Sequence, residues 1–217
     1  MFEKPLQSSV YRIYLLRHGQ STGNAQGVYQ GWSDYPLDET GIRQVRALAA
    51  RWKAEKISFD RIVSSPLQRA HQTAEIIAAA LGDIPIDLDE NWKERDNGAL
   101  SGLTSEQAEI QHPRPAFFSP YTPIGATGES NWLLYLRAGQ AVDSLLRRPA
   151  GSYLVVSHGA ILNLAMYGIM GIVPQASFAG ARFRFNNAAF ACLTYLADRH
   201  LWYLEGVNDH SHWKDEN

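Results

Sequence analysis

The sequence predicts an α/β fold built on a mostly parallel central sheet. Short apolar runs rich in branched and aromatic residues alternate with segments of helical periodicity, as parallel strands joined by crossover helices require. Two of the runs, Val10 to Leu16 and Tyr153 to Val156, stop abruptly in polar tripeptides, Arg17-His18-Gly19 and Ser157-His158-Gly159. With 217 residues, 45% of them hydrophobic and 19% charged, the chain can bury one sizeable core. A single domain over 1–217 is therefore expected.

The elements follow in order. Val10 to Leu16 reads as a buried strand. A loop from Ala25 to Thr40 is punctuated by Gly27, Gly31 and Pro36, and Thr40 is placed to cap a helix carrying Ile42, Val45, Leu48, Ala49 and Trp52 at helical spacing. Phe59 to Val63 is a second strand. Ser65 is expected to cap the next helix with Pro66 at its first position, and Leu67, Ala70, Ala74, Ile77 and Leu81 form its apolar face before Gly82 stops it. Ile84 to Leu88 is a third strand, leading into Trp92-Lys93-Glu94.

From about 98 to 130 the composition changes. Pro113, Pro115, Pro120 and Pro123 fall close together, so this is an excursion, a lid or rim with at most a short helix around Ser105 to Gln111. It is too short to own a core. A helix from Ser130 to Arg147 follows, its apolar stripe read as Trp132, Tyr135, Leu136, Gly139, Val142 and Leu146. After the strand Tyr153 to Val156 comes a largely apolar helix, Ala160 to Met170. Phe190 to Leu196 and His200 to Leu204 form a closing hairpin across Ala197-Asp198-Arg199.

Bulk properties exclude several classes. A net charge of −2 gives nucleic acid no general attraction. Cys192 is the single cysteine, which rules out an internal disulfide and a cysteine metal cluster; its apolar neighbours predict a buried structural thiol. The run Ala160 to Val173, broken by Asn163, Gly168 and Gly171, is shorter than the ~20 residues a bilayer span needs. Met1 to Ser9 lacks the apolar core of a signal peptide, so a cytoplasmic protein with neither membrane nor nucleic-acid partner is expected. His210-Ser211-His212 lacks carboxylate or cysteine support, and no metal site is assigned to it.

The chemistry gathers at the two strand ends. If those strands are neighbours, His18 and His158 stand at one sheet edge, where α/β folds bind ligands. Arg17 and Arg69 add guanidiniums whose planar forks suit phosphate. Asn24 and the backbone amides around Gly159, at a helix start, add further donors. Taken singly, each residue reads as an ordinary core histidine or surface arginine; together at strand ends they make a site for a tetrahedral dianion. The cationic surroundings disfavour a protonated imidazole, so His18 is expected to be neutral and free to attack. Glu94, beyond another strand at the same edge, is the candidate proton donor.

These residues resemble the histidine phosphatase superfamily, the phosphoglycerate mutase-like fold, over nearly the whole chain. Arg17-His18-Gly19 is similar to the signature bearing the phosphorylated histidine, with Asn24 at the motif's asparagine. Gln30-Gly31-Trp32, Pro36-Leu37 and Gly41 resemble the loop that follows. Ser65 to Ala74 resembles the helix with the second phosphate arginine, Arg69. Glu94 with Gly98 and Gly102 resembles the acid segment, and Gly128-Glu129-Ser130 and Ser157-His158-Gly159 resemble two further motifs. The resemblance implies a three-layer α/β/α sandwich, His18 as nucleophile, Arg17, Arg69 and His158 as phosphate-neutralising groups, and Glu94 as acid. It further implies phosphate contacts from Asn24, Gln30, Gly31 and Gly159, and no metal or cofactor.

Within that family the residues favour a phosphomonoester phosphatase acting on a small phosphorylated metabolite through a phosphohistidine. The mutases have a tyrosine where Asn97 stands, a lysine near Ser105 and an arginine pair that grips the substrate carboxylate, whereas here the excursion offers only Arg114 between Arg95 and Arg137. A cofactor-dependent phosphoglycerate mutase is the alternative. A phospho-ligand binding protein without turnover is disfavoured by the complete set His18, Arg17, Arg69, Glu94 and His158. Gln20 departs from the Glu that many members carry.

Overall fold

The computed structural model describes residues 9–213, so nearly all of the Met1 to Ser9 stretch read for targeting lies outside it. Six strands form one sheet: β1 (Val10–Arg17), β2 (Arg61–Ser64), β3 (Ile86–Leu88), β4 (Ser152–Ser157), β5 (Phe190–Leu196) and β6 (Leu201–Asp209). Their order is β3-β2-β4-β1-β5-β6. The first four are mutually parallel, and β5 and β6 run antiparallel as a hairpin added beside β1.

Because side chains alternate along a strand, consecutive apolar residues in the central strands serve opposite faces. Leu15 and Val155 pack under α5 (Asn131–Leu146) and α6 (Gly159–Met170). Leu16 and Val156 pack under α2 (Glu39–Ala54) and α3 (Gln68–Leu81). Helices thus cover both faces, giving the α/β/α sandwich. Trp52, fully buried, anchors the α2 side edge-on to Tyr14, Phe59 and Phe190. Among the described residues no helix is long and apolar enough to cross a membrane.

Several local expectations are corrected. Asp38, not Thr40, caps α2, accepting from the Gly41 amide at 2.7 Å. Ser65 is not the N-cap of α3, which begins at Gln68 after Leu67; its hydroxyl accepts from the Leu67 amide at 3.3 Å and also meets His158 in the site. In α5 the buried positions are Asn131, Leu134, Ala138, Ala141 and Leu145, while Leu136 and Gly139 are exposed. The large side chains misled the pattern, because the helix's inner line is set by alanines that allow α6 close approach. Cys192 is half-buried rather than buried: Ala191 and Leu193 point into the core, and the intervening thiol faces outward beside Glu205. The last strand is also longer than expected, running to Asp209.

Residues 98–130 hold the short helix α4 (Ser105–Gln111) between irregular turns. The excursion enters and leaves through one tight neck. A Cβ on Gly98, which has φ +52°, would lie 2.3 Å from the amide nitrogen of Gly128, and a Cβ on Gly128 would lie 2.5 Å from the Asp96 carbonyl. Only glycines permit that approach.

Candidate active site

The pairing of β1 with β4 aligns Arg17 with Ser157, so the two His-Gly ends lie side by side at the centre of the sheet. The His18 and His158 rings are 5.0 Å apart. A cavity of about 160 Å³ opens at this edge, lined by Arg17, His18, Asn24, Gln30, Gly31, Arg69 and Glu94, together with Val28, Tyr29 and Asn97.

His18 is buried, and its Nδ1 lies 2.6 Å from the Gly19 carbonyl. A carbonyl can only accept, so Nδ1 carries the proton and Nε2 keeps its lone pair. Burial, then Arg69 and Arg17, hold the imidazole well below its ordinary pKa, against the opposing pull of the Gly19 bond. The ring is therefore a neutral base or nucleophile.

Arg17 donates from Nη1 to the Phe185 carbonyl at 2.8 Å, while its buried Nε has no partner among the described residues. Arg69 is almost fully buried. It donates to the Ser33 and Gly31 carbonyls at 2.9 and 2.8 Å and to Nδ1 of His158 at 3.2 Å. Burial lowers its pKa to about 10, partly offset by Glu94 and Asp34, so it stays charged at neutral pH. Two guanidiniums, one with an unpartnered donor, make the cavity an oxyanion site.

Asn24 and Ser21 form a reciprocal capping box at α1 (Thr22–Ala25), and Asn24 Oδ1 also accepts from Asn187 Nδ2 at 3.1 Å. With its oxygen so engaged, the amide nitrogen is the group Asn24 can offer a ligand. Gln30 Oε1 accepts from Ser21 at 2.7 Å, which ties the loop wall to the same turn. Gln20 donates from Nε2 to Asp38 Oδ2 at 2.8 Å. A glutamate there would face that carboxylate, so Gln20 and Asp38 belong together.

Glu94 sits on the outer wall. Its Oε1 accepts from the Arg95 amide at 2.8 Å and its Oε2 from the Ala160 amide, at the start of α6, at 3.3 Å. Its own carbonyl accepts from Trp32 Nε1 at 2.7 Å and from Arg137 Nη2 at 3.0 Å. Arg137 also donates to the Asn91 and Lys93 carbonyls and forms a fork with Glu129, so α5 clamps the segment that presents Glu94.

His158 and Gly159 stand behind the cavity wall rather than on it. His158 is fully buried; its Nδ1 accepts from Arg69 and its Nε2 meets Ser65 Oγ at 2.8 Å. Burial first, then Arg69, His18 and Arg17, hold its pKa well below normal. Gly159 lies against the Arg17 guanidinium, 3.8 Å from Nε to where a Cβ would be.

The sequence gives no site role to Tyr29 or Asn187, and places Ser65 and Thr73 only within the stretch that carries Arg69. Thr73 accepts from the Gly19 amide at 3.2 Å, and Asn187 donates to the His18 carbonyl at 3.2 Å. Sequence reasoning also counted too few cations near the excursion. A cavity of about 680 Å³ adjoins the first across Tyr29, Glu94 and Asn97, and its lining adds Arg182 and Arg184, from the segment after α6, to Arg95.

The comparisons agree with this geometry. The family model of the histidine phosphatase superfamily (branch 1) matches residues 13–210. A protein of Yersinia pestis named probable phosphoglycerate mutase GpmB is 35% identical over 210 residues, covering 93% of this chain and 94% of its own. Among solved structures, a mycobacterial glucosyl-3-phosphoglycerate phosphatase superposes with a TM-score of 0.76 at 26% identity, over 91% of this chain and 98% of that one. The phosphoserine phosphatase of Entamoeba histolytica, solved with 3-phosphoglyceric acid, gives 0.75 at 28% identity over 93% and 98%. A sheet that sets two His-Gly ends side by side, and a family model that spans them both, lead to one conclusion: the chain belongs to the histidine phosphatase superfamily.

Proposed function

We propose that the protein is a phosphomonoester phosphatase that works through a phosphohistidine on His18. The observation that carries this reading is the fixed tautomer of His18, whose unprotonated Nε2 belongs to a pocket walled by Arg17 and Arg69. In the first step Nε2 attacks phosphorus in line, forming the P–N bond as the ester P–O bond breaks. The two arginines and the Asn24 amide balance charge on the equatorial oxygens. Glu94, in its protonated form, gives its proton to the leaving oxygen. In the second step the Glu94 carboxylate takes a proton from water as that oxygen attacks phosphorus, the P–N bond breaks and phosphate leaves.

His158 holds Arg69 in place and stays neutral, while the proton on Nδ1 of His18 stays on that nitrogen, donated to the Gly19 carbonyl, as the ring gains charge. Release of the product alcohol followed by entry of water favours hydrolysis. Arg182 and Arg184, which border the adjoining cavity, are both exposed. The solved relatives named as phosphatases support the same choice.

Phosphoglycerate mutation is the second reading, favoured by the 35%-identical relatives of that name and by the cations the structure adds beside Glu94. The two separate in one assay set. Phosphate release from p-nitrophenyl phosphate by the wild type, abolished in His18→Ala, is the expected result. Conversion of 3-phosphoglycerate to its 2-isomer, dependent on a bisphosphoglycerate primer and faster than phosphate release, would replace it.

A further inference from the structure

The pocket around His18, at about 160 Å³, is smaller than the roughly 300–1,000 Å³ in which organic ligands are held, so it takes the phosphoryl group alone. The leaving group must pass Glu94, which protonates it, and Glu94 is on the shared wall with the 680 Å³ cavity. That cavity continues, across Arg95, Phe178 and Arg182, into another of about 440 Å³ under the excursion. A three-carbon acid would leave most of this space unfilled.

The charge of the walls is one-sided. Arg95, Arg182 and Arg184 line the larger space, Arg114 joins Arg95 and Arg182 in the other, and Glu94 is the one carboxylate on either wall. No carboxylate lies within ion-pair distance of any of these four arginines among the described residues, whereas Arg137, on the neighbouring segment, is paired with Glu129. Two of them face one ring, and a third holds that residue's backbone. The Arg95 and Arg114 guanidiniums lie 5.7 and 6.0 Å from the centre of Phe178, and Arg182 donates to the Phe178 carbonyl at 3.0 Å. Arg95 spends one nitrogen on Asn131 and keeps a buried Nε without a partner. Burial lowers its pKa, with Glu94 and Glu129 pulling the other way. Like charges gathered beside a low-dielectric wall call for an anion.

We propose that the substrates are phosphate esters whose leaving group is larger than a three-carbon acid and carries a second oxyanion, held by Arg95 and Arg182 beside the Phe178 ring. The proposal rests on the reading of the His18 pocket as the phosphoryl site. The second oxyanion can be a carboxylate or a phosphate, and the flat apolar part of the leaving group packs on Phe178 and on Phe118, which stacks with it at 5.2 Å.

The test is a matched series of benzyl phosphate, its para-carboxylate and its para-phosphate, with 3-phosphoglycerate for size. The wild type is expected to prefer an anionic member over benzyl phosphate by about tenfold or more in kcat/KM, the value of one charge-assisted contact. The para-carboxylate is also expected to exceed 3-phosphoglycerate. The anionic-to-neutral ratio should fall towards one in Arg95→Gln and in Arg182→Gln. Because the ratio is taken within each variant, general damage cancels, and Arg182 is exposed, so its variant keeps the fold. A wild-type ratio near one, a ratio unchanged in both variants, or a better rate on 3-phosphoglycerate overturns the proposal. If the wild type hydrolyses none of the esters, the phosphatase reading fails on its own. Calorimetric binding of the same series then decides this one: about tenfold tighter binding of the anionic members, lost in Arg182→Gln, sustains it, and equal binding overturns it.

Discussion

Arg69 donates its Nε proton to Nδ1 of His158 at 3.2 Å, which leaves that imidazole only Nε2 to carry a hydrogen, and Nε2 points to Ser65 Oγ at 2.8 Å. A buried neutral histidine thus acts as a spacer between a serine and an arginine that lines the cavity. The motif's second histidine earns its place by orienting a cation.

Ser65→Ala leaves the His158 donor without an acceptor in a dry interior. The expected loss is about 1–3 kcal/mol in urea unfolding, with a fall in kcat/KM from a displaced Arg69. A variant as stable and as active as the wild type would remove the relay.

The pH behaviour follows from the lowered pKa values of His18 and His158. On the proposed mechanism His18 attacks as the neutral base, so the acidic limb of kcat/KM due to the imidazole should fall well below pH 6.5, the usual histidine value. For stability the sign is fixed by linkage: the unfolded chain binds protons on both histidines at a pH where the folded chain does not. Stability is therefore fully present above about pH 6.5 and declines as pH drops below it. Thermal unfolding measured from pH 8 to 5 checks this, with a flat profile as the contrary result.

Gln20→Glu should replace a hydrogen bond to Asp38 with two facing carboxylates. It is expected to cost about 0.5–1.5 kcal/mol for the bond, plus repulsion. Adding Asp38→Asn should recover most of the loss, and a double-mutant cycle in chemical unfolding measures the coupling.

Arg137→Gln tests the clamp behind Glu94. The Arg137–Glu129 pair is largely buried, with side chains 15% and 12% exposed, so removing one member should destabilise by about 3–5 kcal/mol. At a temperature where the variant stays folded, kcat should fall more than KM rises, because on the proposed mechanism the acid, and not the pocket of Arg17 and Arg69, has moved. Arg137→Lys, which keeps the charge but loses the fork, should fall between the two. Equal changes in kcat and KM for both variants would mean a purely structural part.

What could be read from the sequence was whatever a short segment encodes. The strand ends at Arg17 and Ser157, the stop at Gly82 and the helix around Ser105 each depend on residues within one turn or one strand. The approach of Arg182 to Arg95 depends instead on how the segment after α6 folds back over the excursion, through Ser177 and Phe118, which no local pattern records. The α5 stripe failed for a related reason: Ala138 and Ala141 are buried because α6 comes close, a property of the pair of helices. Ser65 carried a valid local signal, and its hydroxyl does meet the Leu67 amide, but the contact with His158 across the sheet edge could not be read from it.

The neck at Gly98 and Gly128 separates invention from chemistry. Because the excursion begins and ends at one backbone junction, its length and contents can be exchanged as a cassette while the clamp on Glu94 stays where it is. Lengthening such a loop is inexpensive, about 0.6 kcal/mol for each doubling. A graft of another member's segment between those two glycines should therefore change the wall from Leu100 to Ala126 while Arg95, Phe178 and Arg182, outside it, stay in place, so that the contribution of each half of the cavity to substrate choice can be measured apart.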